Sequence, residues 1–506
     1  MSRSKNAKRG ILSGLVNNFL NLFLPFVNRT IILYLLGVEY LGIGTLFSSL
    51  LQILNISELG FGSAIAFILY KPVAEDDTVK VCAILSFARR VFLFVGLAVL
   101  TLGIICMPFL NTLISGRVPG NLNIYLLYFL YLTNSSASYF LFSYKRILLS
   151  ATQRYDLETA IGSAILIIQN ILQFIVLLIW KDYYLYVIVM LISTIVSNLL
   201  CDSLTRKKFP TYYCKGIITT SDKKEIVKTV KGVFFSRLGS VLLSSVNNIV
   251  ISSFLGLLVL GQFSNYYYVS TCVVGFFAVI HNSLRPVLGN CFITETRNKM
   301  FDYLKNVTLL YNWLASFCAC CMLCLYQDFI SIWAGEANLF PLHFVTLLVC
   351  SFYIGRICCV PSVFVEAAGL YYETRFVYLA AGVLNLVLNL ILIRIIGIEG
   401  VLIAGIVANL LVCLGGYAFV LFNRFFKNRI LVHNYIRTLL GEAFVHFCII
   451  FIVYTVSSYI PSNNILQLIL KTTFTAVMFG ALAFLYISIN RSAFVESISY
   501  VKTFIK

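Results

Sequence analysis

Residues 28–42 read NRTIILYLLGVEYLG, and residues 247–261 read NNIVISSFLGLLVLG. Both stretches begin with asparagine and carry Leu-Gly at the same two places. In each, we expect a helix to end at the first Leu-Gly, the chain to turn within about three residues, and a second helix to restart at the second Leu-Gly. The same offset of 219 residues pairs Asn170 with Asn389. We therefore predict an internal duplication, and an even number of helices per copy makes it a parallel repeat.

The composition around these stretches is that of a membrane protein. The chain has 506 residues, of which 60% are hydrophobic and 11% charged, and its mean hydropathy is +0.92, so its main solvent is lipid. Apolar runs of ~20 residues predict about fourteen transmembrane helices. Their approximate limits are 11–36, 41–69, 89–110, 122–144, 158–180, 183–201, 229–255, 259–282, 307–332, 342–368, 376–396, 399–421, 438–459 and 465–489.

The basic residues predict the orientation of these helices. If the N-terminus is cytoplasmic, 31 of the 38 Lys and Arg residues fall in inside segments and three fall within helices. The remaining four, on the outside, are Arg117, Lys181, Arg394 and Lys471. Such a bias predicts that both termini are cytoplasmic. We also expect basic Met1–Arg9 to lead into the first transmembrane helix without a cleavable signal.

The helices group into two predicted lobes. The longest basic loop, Thr205–Lys231, follows the sixth helix and separates two groups of six. We predict an all-α polytopic membrane protein with two pseudo-symmetric six-helix lobes and two further C-terminal helices. The predicted domains are 1–204 (first lobe), 205–228 (cytoplasmic basic linker), 229–422 (second lobe) and 423–506 (the extra helices and a cytoplasmic tail). The excess charge lies in short loops, so no nucleic-acid partner is expected.

Polar side chains form a stripe along the first helix of each predicted lobe. Their spacing of three or four residues places them on one helix face. Such a stripe cannot face hydrocarbon, because each unsatisfied group would cost several kcal/mol. A hydrogen-bond seam inside the bundle or the wall of a water-filled cavity would each satisfy it. The stripe comprises Asn18, Asn21 and Asn28 with Pro25 on helix one, and Arg237, Ser240, Ser244 and Asn247, bordered by Asn248, on helix seven.

Three arginines, Arg29, Arg237 and Arg356, lie inside apolar helices. A cation at bilayer depth costs at least ~2.5–3.5 kcal/mol and usually marks a substrate or ion path. Their guanidinium groups predict a binding site for an anion such as a phosphate. Arg285, at the cytoplasmic end of helix eight, would extend the basic path.

Two intramembrane acids leave a second interpretation open. Glu58 on helix two and Glu366 on helix ten are candidates to neutralise arginines in structural ion pairs. Asn55 lies on the same helix face as Glu58. A carboxylate at this depth is also a candidate carrier of a coupling proton or sodium ion, and the sequence does not decide between these roles.

Other motifs do not predict chemistry. The cysteines of the cluster from Cys318 to Cys324 are interpreted as packing residues, and no metal site is expected. No P-loop motif occurs, so ATP hydrolysis by this chain is not expected. Tyrosines at 125, 128 and 131, and at 266–268, suit either packing at an interface or stacking on sugars.

Several motifs near the start of the chain resemble bacterial polysaccharide-export flippases of the Wzx type, which belong to the multidrug/oligosaccharidyl-lipid/polysaccharide (MOP) exporter superfamily. The motifs are Lys5-Asn6-Ala7-Lys8-Arg9-Gly10-Ile11, Asn28-Arg29-Thr30, Leu36-Gly37-Val38-Glu39-Tyr40-Leu41-Gly42 and Ile56-Ser57-Glu58-Leu59-Gly60-Phe61-Gly62-Ser63-Ala64. The similarity is most specific over residues 5–90. It implies two lobes around a central cavity, alternating access without ATP, and basic cavity residues that meet a pyrophosphate. Arg29 lies in a matching motif, whereas Arg237 and Arg356 correspond only by helix and depth.

The resemblance implies the following function. The expected cargo is an oligosaccharide repeat unit on undecaprenyl pyrophosphate, moved from the cytoplasmic to the outer leaflet for O-antigen, capsule or exopolysaccharide synthesis. The alternative is a cation-coupled multidrug antiporter of the same fold, followed by a membrane polysaccharide polymerase or ligase. We expect a non-enzymatic protein of the bacterial inner membrane, without a cofactor. Its partners would be membrane lipid and other polysaccharide-assembly proteins, and a proton gradient, a sodium gradient and the membrane potential all remain open as energy sources.

Overall fold

The computed structural model describes residues 20–58, 61–116, 118–141, 144–152 and 154–489. Among them, ten helices are long and apolar enough to cross a membrane, and three further apolar helices are shorter. No strand occurs in these ranges. The predicted all-α, multi-pass class is therefore confirmed, whereas the number fourteen is not established by these helices.

The chain divides by its contacts into two compact units, Met1–Gly261 (unit 1) and Gln262–Lys506 (unit 2). The helices of unit 1 are α1 Leu20–Leu35, α2 Val38–Leu54, α3 Phe61–Ala74, α4 Thr78–Cys106, α5 Ile124–Phe140, α6 Tyr144–Ala151, α7 Tyr155–Ile179 and α8 Tyr183–Lys208. Helix α9, Thr220–Thr294, begins in unit 1 and continues into unit 2.

Unit 2 continues with a second set of apolar helices. These are α10 Arg297–Ala334, α11 Leu342–Ala367, α12 Tyr371–Thr374, α13 Val377–Ile396, α14 Ile398–Phe426, α15 Arg429–Ser457 and α16 Ile465–Ile489. Helices α15 and α16, the predicted extra pair, pack on α10 through a core that includes Trp313, Cys320 and Phe479. Cys320 is thus a packing residue. The predicted lobe limits at 204 and 229 come from the sequence repeat, whereas the two units are defined by contacts. The lobe limits therefore stay a prediction.

The predicted second helix, 41–69, is interrupted. Helix α2 ends at Leu54, a short 3-10 helix follows at Asn55–Glu58, and α3 starts at Phe61. The intervening residues include asparagine, serine and glycine, which have weak helix propensity. Asparagine and serine also hydrogen-bond to nearby backbone and so compete with helical bonds. The prediction, which relied on hydrophobicity alone, therefore treated as one helix two helices that these residues separate.

The predicted turns at the two Leu-Gly sites are confirmed. Gly37 has a φ of 112° between α1 and α2, and Gly256 has a φ of 89° within α9. Side chains other than glycine rarely adopt this region, so each glycine allows the chain to change direction. The restart was predicted too late, because α2 already begins at Val38. One residue of positive φ suffices for the turn, so the second Leu-Gly is not needed to form it and has a different role.

That role is a close crossing between α2 and the part of α9 that follows Gly256. A Cβ on Gly42 would overlap the carbonyl oxygen of Leu257, and one on Gly261 would overlap that of Val38. Small residues allow helix backbones to approach closely in this way. Val38 and Leu257, like Gly42 and Gly261, are 219 residues apart. The two contacts are therefore reciprocal, as at a two-fold interface, and they support the predicted duplication.

We predict that Gly42→Ala and Gly261→Ala each destabilise the protein by at least about 1–3 kcal/mol, the usual cost of overpacking, because the added methyl group meets backbone. Thermal unfolding in detergent measures the effect. Gly480→Ala in α16 is the matched control, since no atom lies within 4 Å of the added Cβ. Equal melting temperatures for the three variants would contradict the close crossing.

Candidate functional site

Asn28 lies at the centre of a buried hydrogen-bond network in unit 1. Its side chain is 2% exposed. Its Nδ2 donates to Asn170 Oδ1 at 2.8 Å and to Gln173 Oε1 at 3.3 Å, both on α7. Gln173 in turn donates to the backbone oxygen of Tyr186 on α8 at 3.2 Å. Asn28 therefore belongs to a seam that joins α1 to α7 and α8.

The other predicted residues of helix one occupy different surroundings. Asn21 is exposed, whereas Arg29 is half-buried. Arg29 lies close enough to Tyr183 and Tyr186 on α8 to interact electrostatically with their hydroxyl groups. Asn18 lies outside the described residues. The face of α1 thus carries both a structural amide and, beside it, a cation near tyrosine hydroxyls.

The predicted stripe on α9 divides into two parts. Arg237, Ser240 and Ser244 are exposed. One turn further on, Asn248 Nδ2 donates to Ser49 Oγ on α2 at 2.9 Å. Asn247 is half-buried. The N-terminal part of the stripe is open, and the part near Asn248 is bonded to α2.

Next to Asn248, a residue outside the predicted stripe makes a second bond to the same helix. Ser245 Oγ donates to Gln52 Oε1 on α2 at 2.7 Å.

Exposed polar groups at bilayer depth cannot be left in hydrocarbon, so the open part of the stripe, which includes Arg237, must face water or a polar ligand.

Arg356 on α11 is a half-buried cation of unit 2. Its guanidinium carbon lies 5.9 Å from the ring centroids of both Phe277 and Phe352, a cation–π arrangement. Its Nε has no hydrogen-bond partner. Among the described residues, no carboxylate lies within salt-bridge distance of Arg356. Within these residues, aromatic faces rather than an acid therefore lie against the charge of Arg356.

Glu366 pairs with Arg285 and not with Arg29, Arg237 or Arg356. Its Oε2 forms an ion pair with Arg285 and lies 3.5 Å from His281 Nε2. The structural interpretation of Glu366 as an ion-pair partner is thus realised with Arg285. Because Glu366 offsets the positive charge of Arg285, Arg285 is expected to attract an anion less strongly than an arginine without an acidic partner.

Glu58 and Asn55 are tied to α5. Tyr139 Oη donates to Glu58 Oε2 at 2.6 Å, and Ser135 Oγ donates to Asn55 Oδ1 at 3.1 Å. No ion pair of Glu58 occurs in the described part of the chain. Within those residues, Glu58 therefore does not neutralise an arginine, and its predicted role in ion coupling remains open.

Sequence reasoning missed a polar cavity of about 580 Å³ inside unit 1. It is lined by α2, α5, α6, α7 and α8, and among the described lining residues Arg146 alone is charged. Arg146 was counted as an ordinary basic residue of a cytoplasmic loop, because it follows the fourth predicted helix. The run Asn134–Ser138 on α5 was the available signal, since four of its five side chains are polar within an apolar helix.

The predicted arginines belong to both units. Arg29 and Arg237 lie in unit 1, and Arg285 and Arg356 lie in unit 2. Their predicted convergence on one chamber stays a prediction.

Comparison with known families places the chain. A family model described as "Polysaccharide biosynthesis protein" matches residues 7–292, more than half of the sequence. The chain belongs to this family. The match covers α1–α8 and most of α9, so this polysaccharide biosynthesis family is defined on the region that holds Arg29, Arg237 and the polar cavity. No curated protein sequence matches the chain.

Solved structures show which fold this family member adopts. The lipid II flippase MurJ in an inward closed conformation has a TM-score of 0.65 at 15% identity, covering 95% of this chain and 98% of MurJ. An inward-facing multidrug resistance MATE family transporter of the MOP superfamily has a TM-score of 0.63 at 12% identity, covering 83% and 96%. A MATE transporter from Vibrio cholerae has 0.55 at 13%, covering 85% and 99%. At these identities the likeness shows the fold alone, and that fold is one used by flippases and transporters.

We predict that Asn28→Ala lowers the free energy of unfolding by about 1–3 kcal/mol, because Asn170 and Gln173 lose a buried donor. Thermal unfolding in detergent measures the loss. Asn282→Ala is the matched control, since Asn282 is exposed on α9, and we expect its effect to stay within about 0.5 kcal/mol. Equal stabilities of the two variants would show that the Asn28 seam is not structural.

Proposed function

We propose that the chain is a flippase that moves undecaprenyl-pyrophosphate-linked oligosaccharide repeat units from the cytoplasmic to the outer leaflet. The product would serve surface polysaccharide synthesis, whether O-antigen, capsule or exopolysaccharide. Membership of a polysaccharide biosynthesis family supports the cargo class. The fold shared with a lipid II flippase supports the mode of action.

The observation that carries this proposal is uncompensated positive charge in apolar helices. Arg237 is exposed beside Ser240 and Ser244 within a helix of membrane-spanning length. Arg356 has no carboxylate within salt-bridge distance among the described residues, and its Nε has no hydrogen-bond partner. A cation in a membrane-spanning helix is costly unless water or a bound anion compensates its charge.

A pyrophosphate suits guanidinium groups. The planar donors of arginine pair with two phosphate oxygens at once, and such charge-assisted bonds are roughly twice as strong as neutral ones. Arg29, Arg237 and Arg356 would hold the head group while the polyprenyl tail stays in lipid. Asn28, Asn247 and Asn248 would then support the helices that carry these arginines rather than bind the cargo. The energy source would be an ion gradient or the membrane potential, with Glu58 as a candidate carrier.

The loop charges support a location and an orientation for this activity. The excess of Lys and Arg in alternate loops is the distribution expected if both termini are cytoplasmic. A lipid-linked saccharide assembled on the cytoplasmic face would then meet the basic helices from the inside of the bacterial inner membrane. Partner proteins of the same assembly route would receive the cargo on the outer face.

A cation-coupled multidrug antiporter is the second candidate, because solved MATE transporters share the fold. A site for cationic drugs would require acidic residues, whereas Glu366 is paired with Arg285 and Glu58 accepts a hydrogen bond from Tyr139. A dye-efflux assay separates the two functions. Efflux of cationic dyes without any effect on surface polysaccharide would favour the antiporter.

We predict that Arg237→Ala and Arg356→Ala each reduce translocation of the lipid-linked oligosaccharide by about tenfold or more, because a charge-assisted contact is lost. Lysine at either position should restore part of the activity, since it keeps the charge but not the bidentate geometry. Surface polysaccharide and the leaflet that holds undecaprenyl-linked repeat units are measured in a deletion strain carrying each variant.

Arg437→Ala is the control, since Arg437 is exposed on α15 and outside the proposed site. It should leave export unchanged, and all variants should reach the same protein level. Normal export from both Arg237→Ala and Arg356→Ala would refute the pyrophosphate role of these residues.

A further inference from the structure

The polar cavity of unit 1 has the lining of a binding site. Its walls carry amide and hydroxyl groups from Asn55, Asn134, Ser135 and Thr194, with Tyr131 and other residues. Thr194 Oγ1 donates to Asn134 Oδ1 at 2.7 Å, and Ser135 donates to Asn55, so bonds between α8, α5 and the end of α2 hold the wall in place. Its volume of about 580 Å³ falls within the ~300–1,000 Å³ typical of small-molecule sites.

Two lining side chains, one buried and one half-buried, lack their full complement of hydrogen-bond partners. Asn198 on α8 is 2% exposed, and neither its Nδ2 nor its Oδ1 has a hydrogen-bond partner. Arg146 on α6 donates from Nη2 to Ser197 Oγ at 3.0 Å, but its Nε has none. Buried polar groups in native proteins are almost always paired, because an unpaired group costs about 1–3 kcal/mol. The unpaired donor and acceptor of the Asn198 amide and the unpaired Nε of Arg146 are therefore the groups whose hydrogen bonds a polar ligand would complete.

The charge of the cavity favours an anion. No aspartate or glutamate is among the lining residues in the part of the chain that the structure describes. Among the described residues, no carboxylate lies within salt-bridge distance of Arg146, although Glu158 on α7 is near enough to interact with it electrostatically. A metal ion or a cationic drug would lack the carboxylates that such ligands need. One arginine matches one negative charge.

We propose that this cavity binds one sugar residue of the cargo glycan, and that this residue carries a carboxylate. The carboxylate pairs with Arg146, the amide of Asn198 bonds to ring hydroxyl or acetamido groups, and Tyr131 supplies an aromatic wall. A pyrophosphate, with two or three charges, is poorly matched to a single arginine. The inference rests on the proposed function for the identity of the cargo, but the binding it describes is measured without translocation.

The test measures binding of defined sugars to the purified full-length protein in lipid nanodiscs. The probes are D-glucuronate, D-galacturonate and N-acetylneuraminate, with glucose and galactose as neutral counterparts and inorganic pyrophosphate as the head-group probe. We expect at least one acidic sugar to bind about tenfold or more tightly than the neutral sugars, and Arg146→Gln to remove that preference. Asn198→Ala should weaken the binding of acidic and neutral sugars alike, and the variant should fold normally because no hydrogen bond of the Asn198 side chain is lost.

Arg89→Gln is the matched control, since Arg89 is exposed on α4 and outside the cavity, and it should change none of these affinities. Pyrophosphate binding should be the same in wild type and Arg146→Gln. Equal affinity for acidic and neutral sugars, or an unchanged preference in Arg146→Gln, would overturn the inference. Loss of pyrophosphate binding in Arg146→Gln would instead assign the cavity to the head group. Failure of the proposed function is a separate result, seen as absent pyrophosphate binding in wild type together with normal export from the Arg237 and Arg356 variants.

Discussion

The close crossing of α2 with the second part of α9 is the contact on which the arrangement of unit 1 depends. Gly42 and Gly261 leave no room for a side chain against the carbonyls of Leu257 and Val38. Because the two contacts are reciprocal, a chain segment meets its own repeat in a two-fold manner. In lipid the hydrophobic effect does not drive helices together. Close backbone approach at small residues therefore contributes the van der Waals packing that holds them. The crossing also brings α9 alongside α2, where Ser245 and Asn248 find their partners.

Hydrocarbon imposes the second constraint, since every polar group within it needs a partner inside the protein or a wet surface. The described polar residues differ in whether the protein itself supplies such a partner. Asn28 is satisfied by α7 and forms part of the scaffold. Arg237 is exposed and needs water or a ligand, whereas Asn198 is enclosed and unpaired. Whether a neighbour completes the hydrogen bonds of a polar group thus separates the structural residue Asn28 from the residues that we propose to bind a ligand.

Charge balance connects these observations to transport. The Arg285–Glu366 pair is neutral overall, so it stabilises unit 2 without attracting an anion. Arg356, held by aromatic rings, and Arg146, bonded to a serine, have no acid within salt-bridge distance in the described part of the chain. The cargo that we propose for this member of a polysaccharide biosynthesis family is anionic at its head group. Uncompensated arginines are the complementary feature.

The sequence alone determined the membrane class, the helical content and the turns at Gly37 and Gly256, because bilayer thickness and positive φ are local constraints that composition reveals. It also located the intramembrane arginines. The tertiary structure alone decided the pairing of Glu366 with Arg285 and the partners of Asn28. It alone revealed the cavity, because Arg146 and Asn198 lie on helices that are distant in the chain. Hydropathy reports how a segment partitions into lipid, whereas the partner of a buried polar group depends on which helices pack together, and no single segment encodes that.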